Sequence, residues 1–463
     1  MTRTDGSPIS RAFKALAVIE DVELRAVVLS MLYFFFLFGS YSVVKPVRDA
    51  MGTVYGVKHL QELFTATFVA SLVFAPLYSG LASRFRLSTF LPWVYGFIAA
   101  SVLLFFGLFR SVTDPQPLRW VAAAFYVWVS TFNMLIISVF WSFMADLFSR
   151  TQAKRLFGFV AAGGTIGGIV GPLIATLLGK AVGNDGLMFI SAAGFVVTAV
   201  LVRMLAGEKA KLAAVDADAQ QTSLEHRLPG GLFDGFLLLF RSPYLLLIAV
   251  FLLLMTWIST IVYFQLGDLI TKAFASPDER TRAYAAIELA VNSLAVVLQL
   301  FGTGRLIRRF GVGAGLLVNP VIMVIAFVAV LFSPVLLVLG GIQIVRRVAE
   351  YAVAKPTREM LFTVVDQESK YKAKNVIDTV VYRFGDLSSS WVSHAVLPFG
   401  VTGLAIFGAI VAVLWFPIAV LLGRRYESVR TGGAGLSAAS NPTLPSTPPA
   451  PAGSPTPGWR TPQ

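Results

Sequence analysis

The sequence predicts an all-α membrane protein: twelve transmembrane helices in two six-helix halves. Of its residues 56% are hydrophobic and only 14% charged, with a mean hydropathy of +0.74, whereas soluble domains carry about 25% charged residues. The apolar runs have the roughly 20-residue length of membrane-crossing helices, not the ~10-residue alternation of barrel strands. A hydrophilic stretch holding Glu208, Lys209, Lys211, Asp216, Asp218 and Glu225, without apolar period, separates the runs six and six.

The spans are read at 26–47, 61–82, 89–109, 118–144, 156–179, 186–205, 243–266, 282–303, 312–332, 335–356, 376–398 and 401–422. They divide the chain into a cytoplasmic N-terminal segment (1–25), an N-terminal half (26–206), a cytoplasmic linker (207–242), a C-terminal half (243–423) and a tail (424–463). The tail from Thr431 onward is rich in Gly, Ser, Thr and Pro, a composition that buries too little apolar surface to order itself.

Orientation follows from the basic residues of the short connections. Arg84 and Arg86 follow the second span, Arg150, Lys154 and Arg155 the fourth, Arg305, Arg308 and Arg309 the eighth, and Lys370, Lys372 and Lys374 the tenth. The alternate connections carry fewer, apart from Lys272, Arg280 and Arg282 after the seventh. Both termini are therefore expected in the cytoplasm, and the membrane is taken as a bacterial inner membrane. The net charge of +13 reads as a basic belt facing anionic headgroups rather than a nucleic-acid surface. With no cysteine and three scattered histidines, His59, His226 and His394, neither disulfides nor a metal centre are expected, nor is a cofactor.

Ionised residues inside spans mark function, since each is costly there unless paired or hydrated. Lys45, Arg48 and Asp49 end the first span, with Lys45 and Asp49 one turn apart. Lys355, Arg358 and Glu359 end the tenth. The two sites read K-P-V-R-D and K-P-T-R-E, so each places a kinking proline beside an arginine and a carboxylate. Lys45, Arg48 and Arg358 are the candidate anion ligands, oriented by Asp49 and Glu359. Lys154, Arg155, Lys370, Asp378, Arg383 and Asp386 are candidates for coupling or gating. Gly163, Gly167 and Gly171 recur every fourth residue, a pattern of close helix packing. No G-K-[ST] follows them, which excludes a phosphate loop.

Two parallel six-helix halves describe the major facilitator architecture, with substrate near the midplane. The blocks P-T-R-E-M, D-Q-E-S-K-Y-K-A-K, I-D-T-V and R-F-G between Pro356 and Gly385 resemble the signature of the ATP/ADP translocase family of plastids and intracellular bacteria. The first span with Lys45, Arg48 and Asp49, and the stretch from Trp141 to Phe157, are similar to that family as well. The resemblance implies a major-facilitator-like fold and exchange of nucleotides or similar phosphorylated anions, with Lys45, Arg48, Asp49, Arg358 and Glu359 bearing on transport. Two places depart from it. Tyr263 and Leu266-Gly267 stand where the family has a glutamate and then Trp-Lys, and Asp386 replaces the lysine of R-x-G-K. Alternative readings are a proton-coupled facilitator for another solute, with Asp49, Glu359, Asp378 or Asp386 carrying the proton, and a non-transporting membrane scaffold. The expected partners are an anionic small molecule and the bilayer, and the expected state is a monomer. No enzymatic activity is expected.

Overall fold

The computed structural model describes residues 20–84, 87–215, 234–365, 373–374 and 376–439, and every regular element among them is helical. Helix α1 (Asp21–Tyr55) starts where the Glu23 carboxylate accepts the Glu20 backbone N–H at 3.1 Å. It ends at Gly56, whose φ of 125° favours glycine. A 3-10 turn, Val57–His59, leads to α2 (Leu60–Arg84), followed by α3 (Leu87–Ser111), α4 (Pro115–Leu147) and α5 (Arg150–Val215). After α6 (Asp234–Arg241) come α7 (Pro243–Ala273) and α8 (Pro277–Leu298). Both α7 and α8 begin with a serine N-cap and a proline in the first turn: Ser242 and Ser276 accept backbone N–H bonds from Leu245 and Glu279.

A π turn, Gln299–Thr303, joins α8 to α9 (Gly304–Phe332). Helix α10 (Leu336–Ala349) passes through a second π turn, Glu350–Ala354, into α11 (Lys355–Leu361) and a 3-10 turn, Phe362–Val364. A third π turn, Ile377–Val381, opens α12 (Tyr382–Val396), and a 3-10 turn, Leu397–Phe399, precedes α13 (Gly400–Ala439). Helix thus continues past two expected boundaries, into 207–215 and 424–439.

Seven helical runs among the described residues are long and apolar enough to cross a membrane. Three of them are too long for one crossing. Thr151–Glu208 alone has 58 residues, about 87 Å at 1.5 Å per residue, against a hydrocarbon layer of about 30 Å. Gly183 (φ 63°) breaks this run, Gly311 (φ 76°) breaks Pro277–Phe332, and Gly400 (φ 71°) lies within Ile377–Thr431. Positive φ carries no Cβ penalty at glycine, so one helix ends and the next begins at each of these points.

Buried apolar side chains form two large clusters, one drawn from residues 26–205 with Ala285, the other from residues 239–426. A small third cluster joins Tyr55, Leu60 and Tyr126 to Phe264. The glycine stripe of α5 lies against α1, as expected: a Cβ on Gly171 would stand 2.6 Å from the Gly39 carbonyl oxygen, and Gly163 and Gly167 face the Met31 and Phe35 carbonyls. This close approach seats the part of α1 that carries Lys45, nearly two turns beyond Gly39.

The two lysine–proline motifs differ in structure. Pro46 lies inside the continuous α1, whereas Pro356 follows a π turn and sits in the first turn of α11, where its missing N–H costs least.

At the end of the bundle holding Gly56 and Gly183, residues of the early and late parts of the chain bond to one another. There the Asn184 N–H donates to Asp278 at 3.1 Å, Arg280 donates to Thr53 at 3.1 Å, and Trp391 Nε1 donates to Thr65 at 3.0 Å. At the opposite end Arg155 pairs with Glu23, Arg25 with Glu208, and the Tyr244 hydroxyl donates to the Leu361 carbonyl.

Candidate functional site

A cavity of about 300 Å³ lies between the two clusters. Helix α1 supplies Lys45, Arg48 and Asp49, one turn of one face. Helix α8 supplies Tyr284 and Glu288, and α10 supplies Gln343, Arg346 and Arg347. The π turn after α10 adds Glu350 and Tyr351, and α12 adds Tyr382, Arg383 and Asp386. A π turn holds an extra residue and so advances the helix face. Two such turns stand next to cavity-lining residues, at Glu350–Ala354 and just before Tyr382.

The charges are paired in a definite order. Glu288 is shared: Lys45 Nζ lies 2.8 Å from its Oε2, and Arg347 binds both its oxygens while donating to the Tyr351 hydroxyl at 2.7 Å. Arg48 holds Asp49 at 2.6 and 3.1 Å and donates to Ser130 at 3.3 Å, with its guanidinium 5.2 Å from the Tyr126 ring centroid. Tyr263 donates to Asp49 at 3.1 Å from α7. Arg346 bonds Gln343, Ser259 and Glu350. Arg383 and Asp386 stand 3.7 Å apart, an ion pair longer than a hydrogen bond. Five basic and four acidic side chains line the cavity, which leaves one positive charge in excess and suits an anion.

Of the residues singled out in the sequence, Lys45, Arg48, Asp49, Arg383 and Asp386 meet at this cavity. Arg358, Glu359 and Asp378 do not line it. Arg358 lies 3.4 Å from Asp378 and 3.8 Å from Glu359, and Lys374 pairs with Glu359. From Arg347 to Arg358 the helix advances about 16 Å at 1.5 Å per residue, so this second cluster sits toward the other end of the bundle. Lys154 is exposed, and Arg155 grips the buried Glu23 at 2.8 and 3.2 Å. Lys370 lies outside the described residues. Among the described residues no group of three or more His, Cys, Asp or Glu could hold a metal ion.

Sequence reasoning missed Glu288, Arg346, Arg347 and Glu350. The signal was present: these ionised residues lie inside the expected spans 282–303 and 335–356, the same criterion that marked Lys45. The repeated lysine–proline motif drew attention one stretch further along instead.

Apolar helices packed around a charged cavity are the architecture of a membrane transporter, the class to which sequence comparison also assigns the chain. Residues 26–349 match the family model of the Major Facilitator Superfamily, and the chain belongs to that superfamily. Residues 326–424 match the TLC ATP/ADP transporter model, so the resemblance to the ATP/ADP translocases holds. Curated relatives include ADP,ATP carrier protein 1 of Chlamydia muridarum, 23% identical with 86% of each chain covered. ADP,ATP carrier protein 1 of Chlamydia pneumoniae is also 23% identical, with 91% of this chain and 94% of that protein covered. Among solved structures, an inward-facing bacterial homologue of the iron transporter ferroportin superposes with a TM-score of 0.62 at 13% identity, covering 86% of this chain and 99% of that one. The nucleoside transporter NupG gives 0.53 at 17% identity, covering 89% and 99%. At such identities these structures speak to the fold alone.

Proposed function

We propose that this chain is a secondary-active, alternating-access transporter that exchanges nucleotides of the ATP/ADP type across a bacterial inner membrane. Twelve crossings in two six-helix halves, with both termini in the cytoplasm, is the arrangement we assign to it. The three glycine-broken runs, the two core clusters and the basic connections support that arrangement. The TLC match and the carrier relatives support the substrate class.

The observation that carries the exchange mechanism is the sharing of Glu288 by Lys45 and Arg347. Two buried cations need an anion, because an unpaired charge in such a site costs several kcal/mol. In the empty carrier Glu288 fills that need and ties α1 to α8 and α10. An incoming phosphate supplies competing oxygens to Lys45 and Arg347, releases the tie, and lets the halves move. Return without a ligand remakes the tie and is slow, so net traffic is exchange. Arg48 and Arg346 complete the anion site, with Asp49 and Glu350 holding them in place. Arg358, Glu359 and Asp378, with Lys154, Arg155 and Lys370, act at the cytoplasmic gate.

The test is uptake of labelled ADP into proteoliposomes that are empty or loaded with ATP. Uptake confined to loaded vesicles supports exchange. Uptake that ignores internal nucleotide and follows an imposed pH gradient replaces this reading with proton coupling, for which the loosely paired, cavity-lining Asp386 is the observation in favour.

A further inference from the structure

The cavity wall formed by α2 and α4 differs from the rest. On α2, Phe64, Thr67 and Phe68 share one face at i, i+3 and i+4. On α4, Tyr126, Ser130 and Asn133 share one face at i, i+4 and i+7. None of these six side chains is charged, so the wall offers a phosphate no ion pair. It offers flat aromatic faces and two polar groups without partners: Thr67 Oγ1 and Asn133 Oδ1 are buried and make no hydrogen bond. Their neighbours are occupied, Ser130 by Arg48 and the Tyr126 hydroxyl by Tyr263 at 3.3 Å. Buried polar groups in native proteins are almost always satisfied, and an unpaired one beside a cavity points to a ligand that completes it.

An amide presents a donor and an acceptor side by side, the complement of the edge of a nitrogen heterocycle, and aromatic side chains bind such rings by stacking. We propose that the α2–α4 wall is a base subsite, in which the Asn133 amide and Thr67 hydroxyl bond the edge of a planar nitrogen heterocycle among Phe64, Phe68 and Tyr126. The charged groups of the same ligand then lie toward Lys45 and Arg347 across the cavity. The site is thereby divided: α2 and α4 read the base, and the arginines of α10 hold the phosphates. This inference rests on the nucleotide reading above and adds to it the residues that recognise the base.

The test is binding of ADP and of pyrophosphate to purified full-length protein, titrated calorimetrically in wild type and in Asn133→Leu, Thr67→Val and Arg347→Gln variants. The expected result is that Asn133→Leu and Thr67→Val each weaken ADP about tenfold, the scale of a lost buried hydrogen bond, and leave pyrophosphate binding unchanged. Arg347→Gln is expected to weaken both ligands. Thr67→Val is close to isosteric and keeps the test open if Asn133→Leu does not fold. Equal loss of ADP and pyrophosphate in the wall variants, or no loss of either, overturns the base subsite while leaving the nucleotide reading standing. A wild-type protein that binds neither ligand overturns both.

Discussion

Lys45 of α1 lies 2.8 Å from the buried carboxylate of Glu288 on α8, an ion pair between helices far apart in the chain. Arg347 reaches the same carboxylate from α10. One acidic group is therefore shared by two cations, and removing it has consequences that removing either cation does not.

Glu288→Gln leaves Lys45 and Arg347 facing each other without an anion. Breaking a buried pair in this way costs about 3–5 kcal/mol, so the ligand-free melting temperature is expected to fall by several degrees. Nucleotide should restore more of the loss than it adds to wild type, because its phosphates replace the missing carboxylate. A melting curve that is unchanged without ligand would remove Glu288 from this role.

Arg347 and Arg358 should separate in kinetics. Arg347 lines the cavity and Arg358 pairs with Asp378 outside it. Loss of a charge-assisted contact of about 1.5–3 kcal/mol predicts roughly 10- to 100-fold weaker nucleotide binding in Arg347→Gln. Arg358→Gln is expected to keep its affinity within about twofold and to slow exchange. Equal losses of affinity in both variants would place Arg358 at the substrate after all.

The glycine stripe gives a stability prediction independent of substrate. A Cβ on Gly167 meets the Phe35 carbonyl and lies 2.9 Å from the Gly39 nitrogen, whereas a Cβ at Gly158 meets nothing within 4 Å. Gly167→Val should destabilise by about 1–3 kcal/mol or more through overpacking, and Gly158→Ala should be neutral or slightly stabilising through helix propensity. Yield and melting temperature of the two purified variants check this; a Gly167→Val protein as stable as wild type would contradict the close α1–α5 contact.

Closure at the Gly56 end is testable because the chain has no cysteine. Introduced thiols at Thr65 and Trp391, whose side chains bond at 3.0 Å, would be its only ones. A short bis-maleimide linker should join them without ligand and stop exchange, while the same reagent on either single variant leaves exchange intact. Full exchange in the linked double variant would show that this end need not open.

The helical membrane class was legible in composition and run length, and four of the eleven expected connections hold a glycine at positive φ: Gly56, Gly183, Gly311 and Gly400. The reason is local: apolar windows of fixed length and glycines at positive φ leave their mark on the nearby sequence. Lys45, Arg48 and Asp49 were also legible, because three ionised residues at the end of one apolar run are conspicuous on their own. Glu288 and the Arg346–Arg347 pair were not singled out. Their importance lies in facing Lys45 across a cavity, and residues so far apart in sequence carry no local sign of their pairing. The similarity of K-P-V-R-D and K-P-T-R-E suggested that both motifs line one anion site. In the tertiary structure α1 runs on past Pro46 and brings its charges to the cavity, while the π turn before Pro356 and the further length of helix carry Arg358 and Glu359 away from its lining. The sequence by itself determined which segments enter the membrane and which of them hold charge; only the packing of helices at fixed depth determined which charges meet, because a buried ion is satisfied by its neighbours in space and not by its neighbours in the chain.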